Sequence, residues 1–351
     1  MPDKMLALVK TQRGFGAELQ ETEIPKPQAG EVLLKVHRSS ICGSDIPIYS
    51  WDSWAKHRIR PPLIFGHEIC GQVAASGSSV KKVKVGDKVA VESHIFCDSC
   101  ASCVAGDRHL CRRMALVGVD VSGGFAEYVA LPERVLWKLQ GKIPYDYASL
   151  MEPLGNAVYA TTVEPVEGKT VVVMGCGPQG LYAVGVAKAN GASLVVAVEK
   201  SPFRAQLAKK MGADRVFGTQ GDGSQLREEL LSLKETPDGF DVCLEMSGST
   251  FLLDLAFKIL RNGGRLSLFG LTAGKMGVDL GEDVIFKGLR IYGILGRRLF
   301  QTWQETERLV LSGQISLESV VSHKFPLQKA EEAFQIFISP QKNCGKIVFT
   351  N

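Results

Sequence analysis

No stretch of the chain approaches eighteen consecutive apolar residues, which excludes a membrane-spanning helix of ordinary length. No block of five or more Lys and Arg occurs, and 41 basic against 37 acidic residues leave a net charge of only +4. That balance excludes the basic surface that nucleic acid or an anionic membrane would need. Met1 to Gln20 scatter Lys4, Lys10, Arg13 and Glu18 among short apolar runs. A leader's apolar stretch is therefore missing, and the cytoplasm is the expected location. Internal repeats and low-complexity segments are missing too, and the expected partner is a small molecule. At 351 residues, 45% hydrophobic and 22% charged, the composition is that of an ordinary globular protein, too long for a single core, so two domains are expected.

Cysteine is the exception to this plainness. Of nine, Cys97, Cys100, Cys103 and Cys111 stand in the spacing C-x2-C-x2-C-x7-C. The residues between them are small or charged, so the cluster cannot serve a core. Four thiolates so placed can close around one tetrahedral zinc ion. An iron–sulfur cluster is the rival reading, but Arg112 follows the last cysteine where a ferredoxin run carries Pro. Disulfides or free thiols are the third. An odd cysteine count fits a reducing compartment better than a disulfide framework. Cys70, Cys176, Cys243 and Cys344 lie in apolar or Gly-rich contexts and read as buried small hydrophobes.

The pattern along the chain changes once. Up to about Asn156 it shows short β segments, Met5 to Lys10, Glu31 to Ser39, Ile69 to Ser76, Lys88 to Val91 and Phe125 to Leu131, broken by Pro and Gly. From Lys169 apolar strands alternate with amphipathic helices: Thr170 to Met174, Val195 to Val198, Val216 to Phe217, Val242 to Leu244, Arg265 to Phe269 and Arg290 to Ile294. That alternation predicts an α/β fold with a doubly wound parallel sheet. Gln301 to Ser312 has helical spacing and Lys346 to Phe349 reads as a last strand. This tail is too small to fold alone and is expected to return to the first, mostly β domain.

Gly175-Cys-Gly177-Pro-Gln-Gly180 follows the strand Thr170 to Met174 and opens the helix Leu181 to Asn190. A G-x-G-x-x-G between strand and helix gives a tight turn, a close approach to a pyrophosphate and a helix N-terminus for its charge. Glu199 ends the next strand, where a carboxylate meets the ribose 2′-OH and opposes a 2′-phosphate. NAD is expected over NADP, although Arg204 lies nearby.

A second donor set is dispersed: Cys42-Gly-Ser44-Asp45, Gly66-His67-Glu68 and Glu152-Pro-Leu-Gly-Asn156. Thiolate, imidazole and carboxylate together compose a catalytic zinc site with one open position; the plain alternative is a buried thiol and a core histidine. With the four-cysteine stretch and the nucleotide motif, these residues resemble the zinc-dependent medium-chain dehydrogenases over the whole chain. Cys42 to Ala55, Arg58 to Pro62, Glu92-Ser-His94, Gly118-Val-Asp120, Glu152 to Ala157 and Gly296 to Trp303 are most similar to the L-threonine 3-dehydrogenase branch.

The resemblance implies a GroES-like catalytic domain over residues 1–157 and 296–351 and a Rossmann domain over 158–295. It implies a catalytic zinc on Cys42, His67 and Glu68, with Glu152 acting through metal-bound water, and a structural zinc on the four clustered cysteines. Gln179, Glu199, Arg204, Gly270, Leu271, Ile294 and Leu295 match cofactor contacts, and a homotetramer is implied. Which of Glu68 and Glu152 ligates the resting metal stays open. The expected chemistry is oxidation of a secondary alcohol, L-threonine by resemblance, with Ser44 taking the substrate proton. The family's first motif ends in a relay His where this chain has Pro47; His94 or His57 is the candidate substitute. Pro47 and Ser44 favour a polyol or other secondary alcohol as the alternative substrate. A non-catalytic NAD-binding protein is opposed by the presence of Cys42, His67 and Ser44 together. Trp51, Trp54 and Trp303 are expected either to shape a substrate pocket or to fill contacts between domains.

Overall fold

The computed structural model describes residues 3–219, 223–272 and 274–351; Met1 and Pro2, where the expected first domain begins, lie outside them. Two large sheets organise the chain. The first runs Leu136–Lys138, Lys88–Val91, Glu68–Ser76, Glu31–Ser40, Lys346–Thr350, Val321–Pro326, with Tyr128–Pro132 also paired to Glu31–Ser40. Strands more than 300 residues apart in sequence thus lie side by side, Lys346–Thr350 antiparallel to Glu31–Ser40 through Val348↔Ser40. The strand Val321–Pro326, absent from the sequence expectation, carries Ser322, His323 and Lys324, too polar to read as a buried strand.

The second sheet has the order Arg215–Phe217, Leu194–Val198, Thr170–Met174, Phe240–Glu245, Leu260–Leu268, Arg290–Gly293, all parallel. Numbered within the sheet this is 3-2-1-4-5-6, the doubly wound order that opens a crevice at the ends of its first and fourth strands. Thr170–Met174 and Leu194–Val198 are buried throughout, as an apolar run must be when helices cover both faces. The helix from the glycine motif is Pro178–Ala189, with Gly177 as N-cap and Pro178 in its first turn. It starts three residues before the expected Leu181 because Pro is preorganised for a first turn.

Two registers carry the site. Ser40 pairs with Glu68 across antiparallel strands, so Cys42 and His67 leave the sheet at the same edge. Leu136 pairs with Val91, and the chain beyond Val91 delivers Glu92, Ser93 and His94 to that region. The helices Met151–Thr162 and Gln301–Leu311 pack against one another.

Trp303, the largest fully buried side chain, stacks on Trp137 at 5.8 Å between ring centroids and donates Nε1 to Glu92 Oε2 at 2.7 Å. It fills a core contact rather than lining a substrate pocket. Trp54 is the exposed one, beside Ser53, His57 and Arg58 around a hollow of about 440 Å³. Trp303→Ala should cost about 3–5 kcal/mol in chemical denaturation, while Trp54→Ala should stay within about 0.5 kcal/mol of the parent.

Candidate active site

Donor atoms of Cys42, His67 and Glu68 lie within 4.8 Å of one another. His67 Nδ1 faces Asp45 Oδ1 at 3.5 Å, which leaves Nε2 for a metal, the arrangement by which an outer carboxylate sets a ligating imidazole. Asp45 is fixed in turn, since its Oδ2 accepts from the Cys42 N–H at 2.8 Å. Burial pushes Asp45 up to about 6 despite the opposing pull of His67. Burial alone would lower His67, but Asp45, the Cys42 thiol and Glu152 overcome it and raise it well above the usual imidazole value. The pocket therefore favours a positive charge, and a dication bound by a thiolate and an imidazole satisfies the same field. Ser44 is exposed at the mouth, with Oγ 3.3 Å from His67 Nε2.

Both carboxylates of the pocket are already countered. Glu68 accepts from Ser40 Oγ and pairs with the buried Lys346 ammonium, which also donates to the Ile41 carbonyl at 2.8 Å. Glu152, in the first turn of Met151–Thr162, takes Ser93 Oγ at 2.6 Å and Arg297 Nη2 at 2.8 Å on one oxygen, Oε1. Glu152 groups with Glu92 and His94, not with Cys42 and His67.

Arg297 is the centre of that second group. Its Nε donates to Glu92 Oε2 at 2.6 Å, its Nη1 to Asn156 Oδ1 at 2.7 Å, and its Nη2 to Ser93 Oγ at 3.0 Å and Glu92 Oε1. His94 Nδ1 lies 2.8 Å from Glu92 Oε1 and 3.1 Å from Arg297 Nη2. Burial would raise Glu92, but the guanidinium and His94 hold it far below the usual carboxylate range; burial would lower Arg297, and Glu152 and Glu92 reverse that. Gly155 makes the room: a Cβ there would meet Arg297 Cδ at 2.8 Å.

The four clustered cysteines bring their Sγ atoms within 4.8 Å of one another. Backbone N–H groups already point at them, Cys97 N to Cys111 Sγ and Cys100 N to Cys97 Sγ, each at 3.3 Å. Hydrogen bonds, first from the Ser99 backbone and side chain, bring Cys97 down to about 5, whereas burial pushes Cys103 up to about 12. Donors aimed at sulfur favour thiolates, and a bound metal deprotonates the deeper thiol. This donor set fits zinc. Cys70, Cys176, Cys243 and Cys344 are buried and unpaired with sulfur, as expected.

At the parallel sheet, Gly175 has φ +89° and a Cβ on Gly180 would lie 1.9 Å from the Gly175 carbonyl oxygen, so the turn and the helix approach both require glycine. Glu199 is buried and accepts from Cys176 N at 2.6 Å and Ser201 N at 2.8 Å. Arg204 Nε donates to the Cys344 carbonyl at 2.9 Å. Gln179 is the second residue of the helix, Gly270 lies beside Gly248 and Glu245, Leu271 and Leu295 stand exposed, and Ile294 is buried.

Sequence reasoning found the donors and missed their counter-ions. Lys346 stood out only as the start of the last strand and Asn156 only as the end of the stretch that begins at Glu152, neither as a charge partner. Arg297 lies in the stretch Gly296 to Trp303, which stood out for its tryptophan rather than its arginine. His57 is exposed and its Nδ1 contacts the Ser53 carbonyl at 2.6 Å, away from a relay role; His94 is held by Glu92.

Glu92→Gln should lower stability by about 3–5 kcal/mol at pH 7, because it leaves Arg297 without one of its two buried counter-ions. The folded carboxylate titrates below its unfolded value, so its contribution is present above roughly pH 4.5 and is lost as pH falls toward the folded value. Melting scans should therefore show the gap between parent and variant narrowing below about pH 4.

The chain matches the family described as alcohol dehydrogenase GroES-like domain over residues 28–141, and the family described as zinc-binding dehydrogenase over 178–312. It is 44% identical over 350 residues to L-threonine 3-dehydrogenase of Pyrococcus horikoshii, covering 99% of both chains, and 42% identical over 345 residues to that of Bacillus subtilis, covering 98% of both. Among solved structures it is similar to a zinc-binding dehydrogenase of Sinorhizobium meliloti bound to NADP, with TM-score 0.91, 25% identity and 100% of both chains covered. It is also similar to 2R,3R-butanediol dehydrogenase from Bacillus subtilis, with TM-score 0.86, 28% identity and 99% of both covered. An oxidoreductase fold, two thiol-bearing donor sets and full-length likeness agree, and the chain belongs to the zinc-binding dehydrogenases, in the medium-chain form that joins a GroES-like domain to a dinucleotide-binding sheet.

Proposed function

We propose that this enzyme oxidises L-threonine to 2-amino-3-oxobutanoate with NAD. The observation that carries this is the convergence of Cys42, His67 and Glu68 beside exposed Ser44 in a chain 44% identical over its length to an L-threonine 3-dehydrogenase. On this reading residues 1–157 and 296–351 form the catalytic unit and 158–295 the nucleotide unit. Cys42, His67 and Glu68 hold one zinc, and Cys97, Cys100, Cys103 and Cys111 a second. Zinc in the pocket supplies Lewis acidity to an alcohol hydroxyl, and NAD supplies the hydride acceptor. Ser44 Oγ accepts the substrate proton, a hydroxyl being both donor and acceptor. With Pro47 behind it, solvent at the mouth takes the proton onward. Glu152, anchored by Ser93 and Arg297, stands as the carboxylate that assists from the second group.

NAD is favoured over NADP because the Glu199 carboxylate is fixed by two backbone N–H groups, and Arg204 commits Nε to Cys344. Glu199→Ala should raise KM for NAD and narrow the gap to NADP; equal use of both nucleotides by the parent would refute the assignment. The assembly is read as a cytoplasmic homotetramer. Leu280, Ile285, Phe286 and Ile291 stand exposed near the outer strand Arg290–Gly293, a patch that association would cover.

The second reading is a polyol or other secondary-alcohol dehydrogenase, favoured by Pro47 and by likeness to the butanediol enzyme. Rates of NADH formation with L-threonine, 2,3-butanediol and sorbitol separate the two. Threonine should lead in kcat/KM, and Pro47→His should gain most below neutral pH. A preference for an uncharged polyol by roughly tenfold, about 1.4 kcal/mol in transition-state binding, would establish the second reading instead. Metal analysis should find about two zinc per chain, with activity lost as the first is chelated.

A further inference from the structure

At the crevice end of the parallel sheet the strand Phe240–Glu245 finishes on a carboxylate that is fully buried. Among the described residues no cation pairs with Glu245. Its own loop meets it instead. Oε1 accepts from Ser247 N at 2.8 Å, from Gly248 N at 3.0 Å and from the Ser247 hydroxyl, and Oε2 accepts from Gly248 N at 3.2 Å. Ser247 Oγ in turn accepts from Ser249 N at 3.0 Å. Burial pushes the Glu245 carboxyl up, and the donors of this loop oppose it. A buried charge with no counter-ion is a costly way to close a turn, and a neutral Asn or Ser closes turns by the same bond. Neither metal site uses this carboxylate.

The turn that it shapes is wedged between the two other loops of the crevice. A Cβ on Gly175 would lie 2.6 Å from Ser247 Cβ, and a Cβ on Gly248 would lie 2.3 Å from the Leu271 carbonyl oxygen. One on Gly270 would lie 2.1 Å from Gly248 N and 2.6 Å from Glu245 Oε2. Backbone bonds close the same contacts: Met246 N donates to the Met174 carbonyl at 3.0 Å, and Gly270 N to the Glu245 carbonyl at 3.1 Å. Gly175 begins the glycine turn after Thr170–Met174, and Gly270 and Leu271 follow Leu260–Leu268. Leu271 is 96% exposed, so its backbone contact with Gly248, rather than side-chain packing, sets its place.

We propose that Glu245 is a positioning residue for the nucleotide: its carboxylate fixes the Ser247–Gly248 turn, and that turn spaces the glycine turn from the Gly270–Leu271 loop. The cofactor fits between loops whose separation one buried anion sets. The inference rests on the NAD reading of the crevice, and it holds whichever alcohol is the substrate.

Glu245→Gln keeps the shape of the side chain but turns an NH2 donor toward N–H donors. Ser247→Ala is milder, removing one donor and leaving the carboxylate. NADH is titrated into the zinc-loaded full chain by fluorescence, and KM is measured for nucleotide and alcohol separately. Kd for NADH should rise on the order of tenfold in Glu245→Gln, as the loss of a charge-assisted bond does, and less in Ser247→Ala. KM for the nucleotide should rise with it, while KM for the alcohol and the zinc content stay at parent values. A turn that serves folding alone would lower the melting temperature and leave Kd unmoved. A parental Kd in folded Glu245→Gln would overturn the proposal, and so would an equal rise in KM for the alcohol. If Glu245→Gln does not fold, a parental Kd in Ser247→Ala overturns it. A parent chain that binds no NADH would overturn the nucleotide reading itself, and shows in the first titration before any variant is compared.

Discussion

One buried guanidinium holds the catalytic half together. Arg297 joins Glu92 and Ser93 from the end of one strand, Glu152 and Asn156 from one helix, and its own segment leading into Gln301–Leu311. A fully buried cation is unfavourable unless its donors are met and its charge is balanced. Here two carboxylates, the Ser93 hydroxyl, the Asn156 amide oxygen and the Glu152 carbonyl do so, and Trp303 completes Glu92. The geometry of Glu152 and His94 is thus a by-product of satisfying Arg297. Gly155 belongs to the same constraint, since any side chain there would occupy the space of the guanidinium's stem.

The metal pocket is built by a different device. Antiparallel register places Ser40 opposite Glu68, and the residues just past that pair, Cys42 and His67, emerge together. Charge is then adjusted from outside: Asp45 steadies His67, and Lys346 neutralises Glu68. Left to themselves, a thiolate and two carboxylates would repel one another in a low dielectric. Lys346 and Arg297 lower that repulsion, and on the proposed reading a single dication would complete the balance.

The parts legible in the sequence are those whose cause is local. The four-cysteine run, the glycine turn and Glu199 each announce themselves by spacing within one strand–turn–helix unit or one loop, and the all-apolar Thr170–Met174 could hardly be anything but an interior strand. Cys42 and His67 were legible only by their donor chemistry beside the cysteine lobe and the nucleotide motif and by resemblance, because nothing in their own neighbourhoods says that they meet. Lys346 and Arg297 were illegible because a buried cation looks like a surface one until its partners are placed. Val321–Pro326 was missed because it is held by pairing with a neighbour, Lys346–Thr350, and has no buried residue or apolar alternation of its own. Trp303 is a different case: the sequence left open a pocket-shaping or a contact-filling role, and its burial and its bond to Glu92 fit the second.

The sequence distances within these sites imply an order of assembly. The contact between Cys97 and Cys111 spans 14 residues, whereas Arg297 reaches back 205 to Glu92 and Lys346 reaches back 278 to Glu68. Closing a short loop costs less chain entropy than closing a long one. The cysteine lobe can therefore take its ion while most of the polypeptide is still unstructured. Glu68 beside Cys42 has no counter-ion until Lys346 has been made and its strand has docked, so an ion held by the cysteine lobe would help the chain to fold, whereas one held by the pocket would wait for it to finish.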